Sequence, residues 1–318
     1  MDIIAVGIDV SKRSFDVALL KEGRLQHRSF KNQPGGFSGL SKWLDKQPSD
    51  SVHVCMEATG VYGEPLAEHL HDHGFVVSMV NPARVKGFAQ SELRRSKTDK
   101  LDAGLIARFC AAMHPEPWQP LPAEVRKLRD LVRRLEALQE MRQQERNRLE
   151  AASGIILEQL ERHLAFLDEE IRQTKAAINQ HIDNHPNLKQ RKRLLESIPG
   201  VGEATINVIL SEFADIGQFR NAKALAAFMG VAPKVRQSGT SLRERGMMSK
   251  MGRKALRKAF FMPALVGLKH NPILIKLKER LTAAGKPKMA IVGAAMRKLI
   301  HIIYGVLKNG RPFDPNFA

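Results

Sequence analysis

The chain has 318 residues, 43% of them apolar, with 51 Lys and Arg against 33 Asp and Glu and a net charge of +18; that length allows two or three packed domains. Its two cysteines, Cys55 and Cys110, lie in no metal-ligand spacing, which argues against a disulfide framework and a zinc site. The N-terminus MDIIAVGID does not read as a signal peptide and no long apolar stretch stands out, so a cytoplasmic protein with no membrane partner is expected.

IIAVGIDV, SFDVALLKEG and RLQHRSF read as three antiparallel strands, with a tight turn at EGR. GGFSGLSKWLDKQ then reads as a helix, SVHVCME as a strand, GEPLAEHLHDHG as a helix closed by Gly74, FVVSMVNP as a strand and KTDKLDAGLIARFCAAM as a helix. This β-β-β-α-β-α-β-α order predicts a ribonuclease-H-like layer over residues 1–116, a mixed sheet with helices on its faces. In that plan Asp9 projects from the first strand and Glu57 ends the fourth. Asp99 and Asp102, at i and i+3, share one helix face. Hard carboxylate oxygens grouped in this way suit Mg²⁺ and phosphodiester chemistry. Taken singly, each acid has an ordinary role as a strand end, a turn or a helix-dipole partner. Asp16, in the second strand, reads as structural.

Residues 117–185 read as a helical coiled-coil arm. Val125, Leu128, Val132, Leu135 and Leu138 form one seam; Leu157, Leu160, Leu164, Leu167, Ile171, Thr174 and Ile178 form another. Ser153-Gly154 interrupts them, and the pattern fits an intramolecular hairpin as well as a partner-binding coiled coil.

The positive charge is concentrated beyond the arm. Residues 1–116 carry 15 cations against 14 acids, 117–184 carry 11 against 12, and 185–318 carry 25 against 7. A basic block of that size typically faces a polyanion. Within it, LLESIPGVGEATINVILSEF matches a helix-hairpin-helix, in which Gly200 and Gly202 let backbone N–H groups approach a phosphate. Lys189, Arg191, Lys192 and Arg193 lie just upstream and would add sequence-independent phosphate contacts. A Ser/Gly/Arg-rich loop follows, with Ser238, Ser241 and Ser249 among Arg236, Arg243 and Arg245. It enters a helix bearing Arg253, Lys254, Arg257 and Lys258. Guanidinium forks there suit a scissile phosphate, but no base beside a serine can be assigned from these residues alone.

Several segments together, GIDVSK, MEATGVYGEPLAEHL, VVSMVNPARVKGFAQSE, SKTDKLDA, LLESIPGVGEATINVIL, FMGVAPKVRQSGTSLRERGMMSK and AMRKLIHIIYGVLKNGRPF, resemble the DEDD-type insertion-sequence transposases, the insertion-sequence one-ten family, which also contains pilin-gene invertases. The likeness runs in order along essentially the whole chain. It implies an α/β plus all-α protein: a Holliday-resolvase-like N-terminal domain, the arm, and a mainly helical C-terminal transposase domain over 186–318. It further implies that Asp9, Glu57, Asp99 and Asp102 bind Mg²⁺, and that Ser238, with Ser241 in reserve, forms a phosphoserine link to DNA. The implied partners are donor and target DNA, a noncoding bridge RNA that selects them by base pairing, and further copies of the chain in a homodimer or homotetramer.

Other classes fit less of the sequence. A resolvase-like nuclease with water as nucleophile would use the acids alone. An actin-like ATPase or sugar kinase would need later glycine-rich phosphate loops that are missing, and a noncatalytic RNA- or DNA-binding regulator would leave the acids structural. Tyr304, in an apolar helical run, reads as core and not as a nucleophile.

Overall fold

The computed structural model describes residues 4–47, 52–58, 62–91, 99–234, 237–238, 242–243, 247–249, 252 and 254–316. Contacts divide the chain into two compact units, Met1–Pro120 and Leu121–Ala318.

The first unit is a mixed sheet with helices. Strands β1 (Ile4–Val10), β2 (Ser14–Lys21) and β3 (Arg24–Lys31) form an antiparallel meander. β4 (Val52–Glu57) then runs parallel to β1, and β5 (Val76–Val80) parallel to β4. The five strands lie in the order β3-β2-β1-β4-β5, which makes β1 central. This mixed α/β layer is the arrangement expected of a ribonuclease-H-like fold. Glu22 and Gly23, both at positive φ, close the β2–β3 hairpin in the hand that matches strand twist. Helices α1 (Pro34–Leu44), α2 (Glu64–Asp72), α3 (Pro82–Ser91) and α4 (Asp99–Met113) complete the unit. α3 has no counterpart among the elements read from the sequence; Val85 is its only buried residue, so it carries almost no apolar period to read.

Alternation along the strands sends side chains to two different layers. Val6, Ile8, Phe15 and Val17 join Leu40 and Leu44 of α1 and Leu66 and Leu70 of α2 in one buried cluster. Each such side chain contributes about 1.5–3 kcal/mol of burial. Ala5, Cys55, Ile106, Phe109 and Cys110 form another cluster, and Ala18 packs with Ala103 and Ala107 of α4. Small residues on the α4 side let the helix lie close to the sheet.

The second unit is almost wholly helical. α5 (Ala123–Leu149) and α6 (Ile155–Asp183) form an antiparallel hairpin. Arg142–Asp168 at 2.6 Å, Arg134–Glu170 at 3.5 Å and His181 Nε2 against the Glu124 carbonyl at 2.8 Å mark its direction. Gly154, at φ 56°, supplies the break. Val125, Leu128, Val132, Leu135 and Leu138 are all buried, as are Leu167, Ile171 and Ile178. One continuous apolar cluster runs from this hairpin through α7 (Pro186–Glu196), α8 (Glu203–Glu212), α9 (Ala222–Phe228), α10 (Lys254–Ala259), α11 (Phe261–His270), α12 (Pro272–Ala283) and α13 (Lys288–Asn309). The arm and the basic half, distinct in composition, therefore share one core.

α13 modifies the sequence reading. It is long and apolar enough to cross a membrane by length and composition, yet more than half of its apolar window is buried. Ile291, Val292, Ala295, Met296, Leu299, Ile300 and Ile303 all face the core. Tyr304 is buried beside them and donates its hydroxyl to the Phe219 carbonyl at 2.9 Å, the role of a core residue.

Candidate functional site

The first unit gathers its acids at one end of the central strands. Asp9, the penultimate residue of β1, is half-buried, and the antiparallel register sets it directly opposite Asp16 on β2. The parallel register of β1 with β4 reaches Ile8 beside Met56, and one further step brings Glu57 level with Asp9. All three acids point to the face covered by α4, since Ala5 and Cys55, in phase with them, pack there.

The seating of α4 then decides where Asp99 and Asp102 stand. A first side-chain carbon at Gly7 would overlap the Ala103 carbonyl and the Ala107 backbone nitrogen, so helix and strand touch backbone to backbone. Further along α4, Cys110 Sγ lies 3.5 Å from the His53 carbonyl, level with Ala5 in the sheet register. α4 thus runs antiparallel to β1. Its first turn, with Asp99 and half-buried Asp102, stands at the β1 end that carries Asp9. The Asp99 side chain lies outside the described residues. Close beneath, the Cys55 thiol donates to Cys110, and this bond together with burial raises the Cys55 pKa.

This arrangement has the donor chemistry of a hard divalent cation. Two carboxylates opposed across an antiparallel pair repel each other, and a cation at that end would offset the repulsion. Among the described residues, no three His, Cys, Asp or Glu side chains already close into a metal-holding group. Asp16 is the acid that residue types alone did not single out. The tight Ser11–Ser14 turn, with Lys12 and Arg13 at its tip, would have revealed it, because a hairpin closed by positions 11 and 14 pairs position 9 with position 16.

The cations of the second unit divide into distinct roles. Arg191 reaches inward and donates to the Phe213 and Ala214 carbonyls at 2.6 and 2.8 Å, closing the C-terminal end of α8. Burial draws its pKa below the ordinary value. Lys192 bonds Asn179 at 3.0 Å, Asn179 bonds Glu203 at 2.9 Å, and Lys189 pairs with Asp183 at 3.1 Å. Arg193 is the exposed member of the four.

The Pro-Gly-Val-Gly turn also divides. Gly200 has φ 95°, and a side-chain carbon there would lie 2.8 Å from the Gly267 nitrogen, so its bareness serves packing against α11. Gly202, at the N-cap of α8, has open space around it.

Ser238 lies in a short ribbon where a loop was expected. β6 (Pro233–Lys234) pairs with β9 (Met247–Met248), and β7 (Gln237–Ser238) pairs with β8 (Leu242–Arg243), one rung nested within the other. Ser238 is opposite Leu242. Side chains of Ser238, Arg243 and Lys254 lie outside the described residues, as do Arg236, Ser241, Arg245 and Arg253 entirely. Half-buried Ser249 donates its backbone N–H to the Ala232 carbonyl at 2.8 Å, at the ribbon base. On α10, Arg257 is half-buried beside Gly230, whereas Lys258 is exposed.

Comparison with known proteins meets this geometry at both units. Residues 6–160 match the DEDD transposase family, described as "Transposase", and residues 192–279 match "Transposase IS116/IS110/IS902 family". The chain is 36% identical over 312 residues to the pilin gene-inverting proteins of Moraxella bovis and of Moraxella lacunata, covering 97% of each chain. It is also 29% identical over 160 residues to an uncharacterized 43.6 kDa protein of insertion element IS110 from Streptomyces coelicolor, 50% of this chain and 38% of that one.

Proposed function

Because the chain belongs to the IS110 family of DEDD transposases, and so to enzymes that act on DNA, we propose that it cuts and rejoins DNA strands through a phosphoserine intermediate on Ser238. The observation that carries this reading is the common position of Asp9, Glu57 and the first turn of α4 at one end of the sheet. DEDD transposases are in general divalent-metal dependent. Here Asp9, Glu57, Asp99 and Asp102 would hold Mg²⁺, which when bound lowers the barrier to attack on a phosphodiester and stabilises the leaving oxygen.

The chain's own part begins with binding. Exposed cations of the second unit, such as Arg193 and Lys258, neutralise phosphates and hold the duplex independently of sequence. Ser238 Oγ then forms a P–O ester as the scissile P–O bond breaks, and the freed DNA hydroxyl takes a proton. Attack of a second DNA hydroxyl on that ester reverses the step and releases the serine. Bond energy is conserved, so strand exchange needs no nucleotide hydrolysis, in keeping with a sequence that has no GxxxxGK[ST] loop.

Inversion of a DNA segment is supported as one outcome by the naming of the Moraxella relatives. In this reading a noncoding bridge RNA pairs with donor and target DNA, and the working species is a homodimer or homotetramer.

Purified protein, Mg²⁺, RNA transcribed from the element's flank and labelled donor and target DNA, resolved on a denaturing gel, test the proposal. A protein–DNA adduct is expected, and it disappears in Ser238→Ala and in Asp9→Ala. Cleaved DNA without an adduct, persisting in Ser238→Ala, would instead make water the nucleophile and retire the serine assignment.

A further inference from the structure

The exposed side of α11 carries an apolar stripe that the core does not use. Phe261, Met262 and Val266 are 36%, 61% and 41% exposed. Pro263, Ala264, Gly267 and Leu268, on the opposite side, are buried. Close approach of Gly200 to Gly267 and to the Pro263 carbonyl presses that inner side against the turn before α8, which fixes which side is left outward.

Cations bracket the stripe at both ends. Phe260 keeps helical dihedrals (φ −93°, ψ −6°), so Lys258 on α10 leads into Met262 and Val266 at four-residue steps and then to Lys269 and His270. Lys258, Lys269 and His270 are exposed. Between Glu244 and Glu279 the sequence contains no acid and nine Lys or Arg residues. Lys258 has Glu136 of α5 near it, with Glu212 of α8 close by, whereas Lys269 lies in the stretch between Glu244 and Glu279 that holds no acid; a second copy laid symmetrically on this side would oppose more cations than acids. Nucleic acid satisfies both features, because its backbone is anionic and its bases present apolar faces once they leave the duplex stack.

We propose that the outer side of α11 is a stacking surface for an unpaired base of substrate DNA, with Phe261, Met262 and Val266 against the base and Lys258 and Lys269 against the flanking phosphates. The proposal rests on the family's action on DNA but not on the Ser238 chemistry, and it assigns α11 to holding strands apart while they are exchanged.

Full-length protein in EDTA, where no strand is cut, is titrated by fluorescence anisotropy with a labelled duplex containing a two-nucleotide single-stranded gap and with the continuous duplex. The wild type is expected to favour the gapped DNA. Phe261→Ser/Met262→Ser should remove roughly tenfold of that preference and leave duplex affinity within about twofold, since the phosphate contacts remain. Met262→Ser alone, at the most exposed position, gives the same direction with little risk to folding. Lys258→Ala/Lys269→Ala should weaken both DNAs alike. Ser238→Ala should bind as the wild type does, which separates this test from that of the phosphoserine. No gap preference in the wild type, or a preference that survives the serine variants, would overturn the proposal. So would a fall in sedimentation mass of the serine variants with DNA binding untouched, which would identify a second copy as the occupant.

Discussion

The sheet unit and the helical unit place their charges by opposite means. Asp9, Glu57 and the first turn of α4 are set by backbone register: strand beside strand, and helix on strand with no side chain between them at Gly7. The cations of the helical unit are placed by the reach of long side chains. Those side chains diverge, with Arg191 half-buried and turned onto carbonyls, Lys192 and Lys189 tied to Asn179 and Asp183, and Arg193 left outward. Position in sequence therefore predicts role well where the backbone carries the group and poorly where four or five rotatable bonds intervene.

The sharpest way to break this contrast is at the acids. Asp9→Asn should lower DNA cleavage by at least about a hundredfold with melting little changed, because an isosteric amide keeps the strand but loses the charge a cation needs. Asp16→Asn should retain more activity, as its partner carboxylate is then relieved of repulsion. Equal losses in both variants, measured by single-turnover cleavage, would make Asp16 a full member of the site.

Next in size is the contact that seats α4. Gly7→Val should destabilise the protein by about 3 kcal/mol in urea unfolding, since neither the Ala103 carbonyl nor the Ala107 nitrogen can move without the helix. A folded Gly7→Val variant should lose cleavage while DNA binding persists.

Two neighbouring arginines sharpen the other half of the comparison. Arg191→Ala should cost about 2 kcal/mol of stability by leaving the Phe213 and Ala214 carbonyls unpaired. Arg193→Ala should change stability by no more than about 0.5 kcal/mol and reduce the salt slope of DNA binding by about 1. Reversal of the two results would refute the division of roles.

The smallest effect concerns His301. Burial first, then Arg297, Lys298 and Lys223, lower its pKa from 6.5, and its Nε2 finds no hydrogen-bond partner among the described residues. The folded state thus binds this proton less readily than the unfolded chain. The corresponding stability is complete above the ordinary pKa and is lost as pH falls through the depressed folded value. Melting curves between pH 7.5 and 5 should therefore decline less in His301→Gln than in the wild type.

Much of the sheet unit was legible because its elements are long enough to show a period. β1 to β5 and α4 follow alternation or helical spacing, and the acids sit at their ends. α3 was not legible, with Val85 alone buried. Nor was the ribbon around Ser238, since two-residue strands leave no alternation to detect. Composition counted the cations of α7 correctly but could not tell that Arg191 turns inward. No long apolar stretch stands out in the sequence, yet α13 meets the length and composition of a membrane span, and its buried window shows it to be a core helix. The pairing of Asp9 with Asp16 is a property of register, which appears only when the hairpin is folded on paper or in space.

The backbone contact at Gly7 also acts as a gear tooth between strand and helix. Because the contact uses both the Ala103 carbonyl and the Ala107 nitrogen, a residue inserted between those two would break it, and one inserted between Asp102 and Ala103 would turn the carboxylates by about 100° about the helix axis. Length variation within the helix ahead of Ala103 is thus confined to near whole turns, three or four residues at a time. Related chains that keep a working acid set should preserve the spacing from Asp99 to Ala107, or change it only by near whole turns.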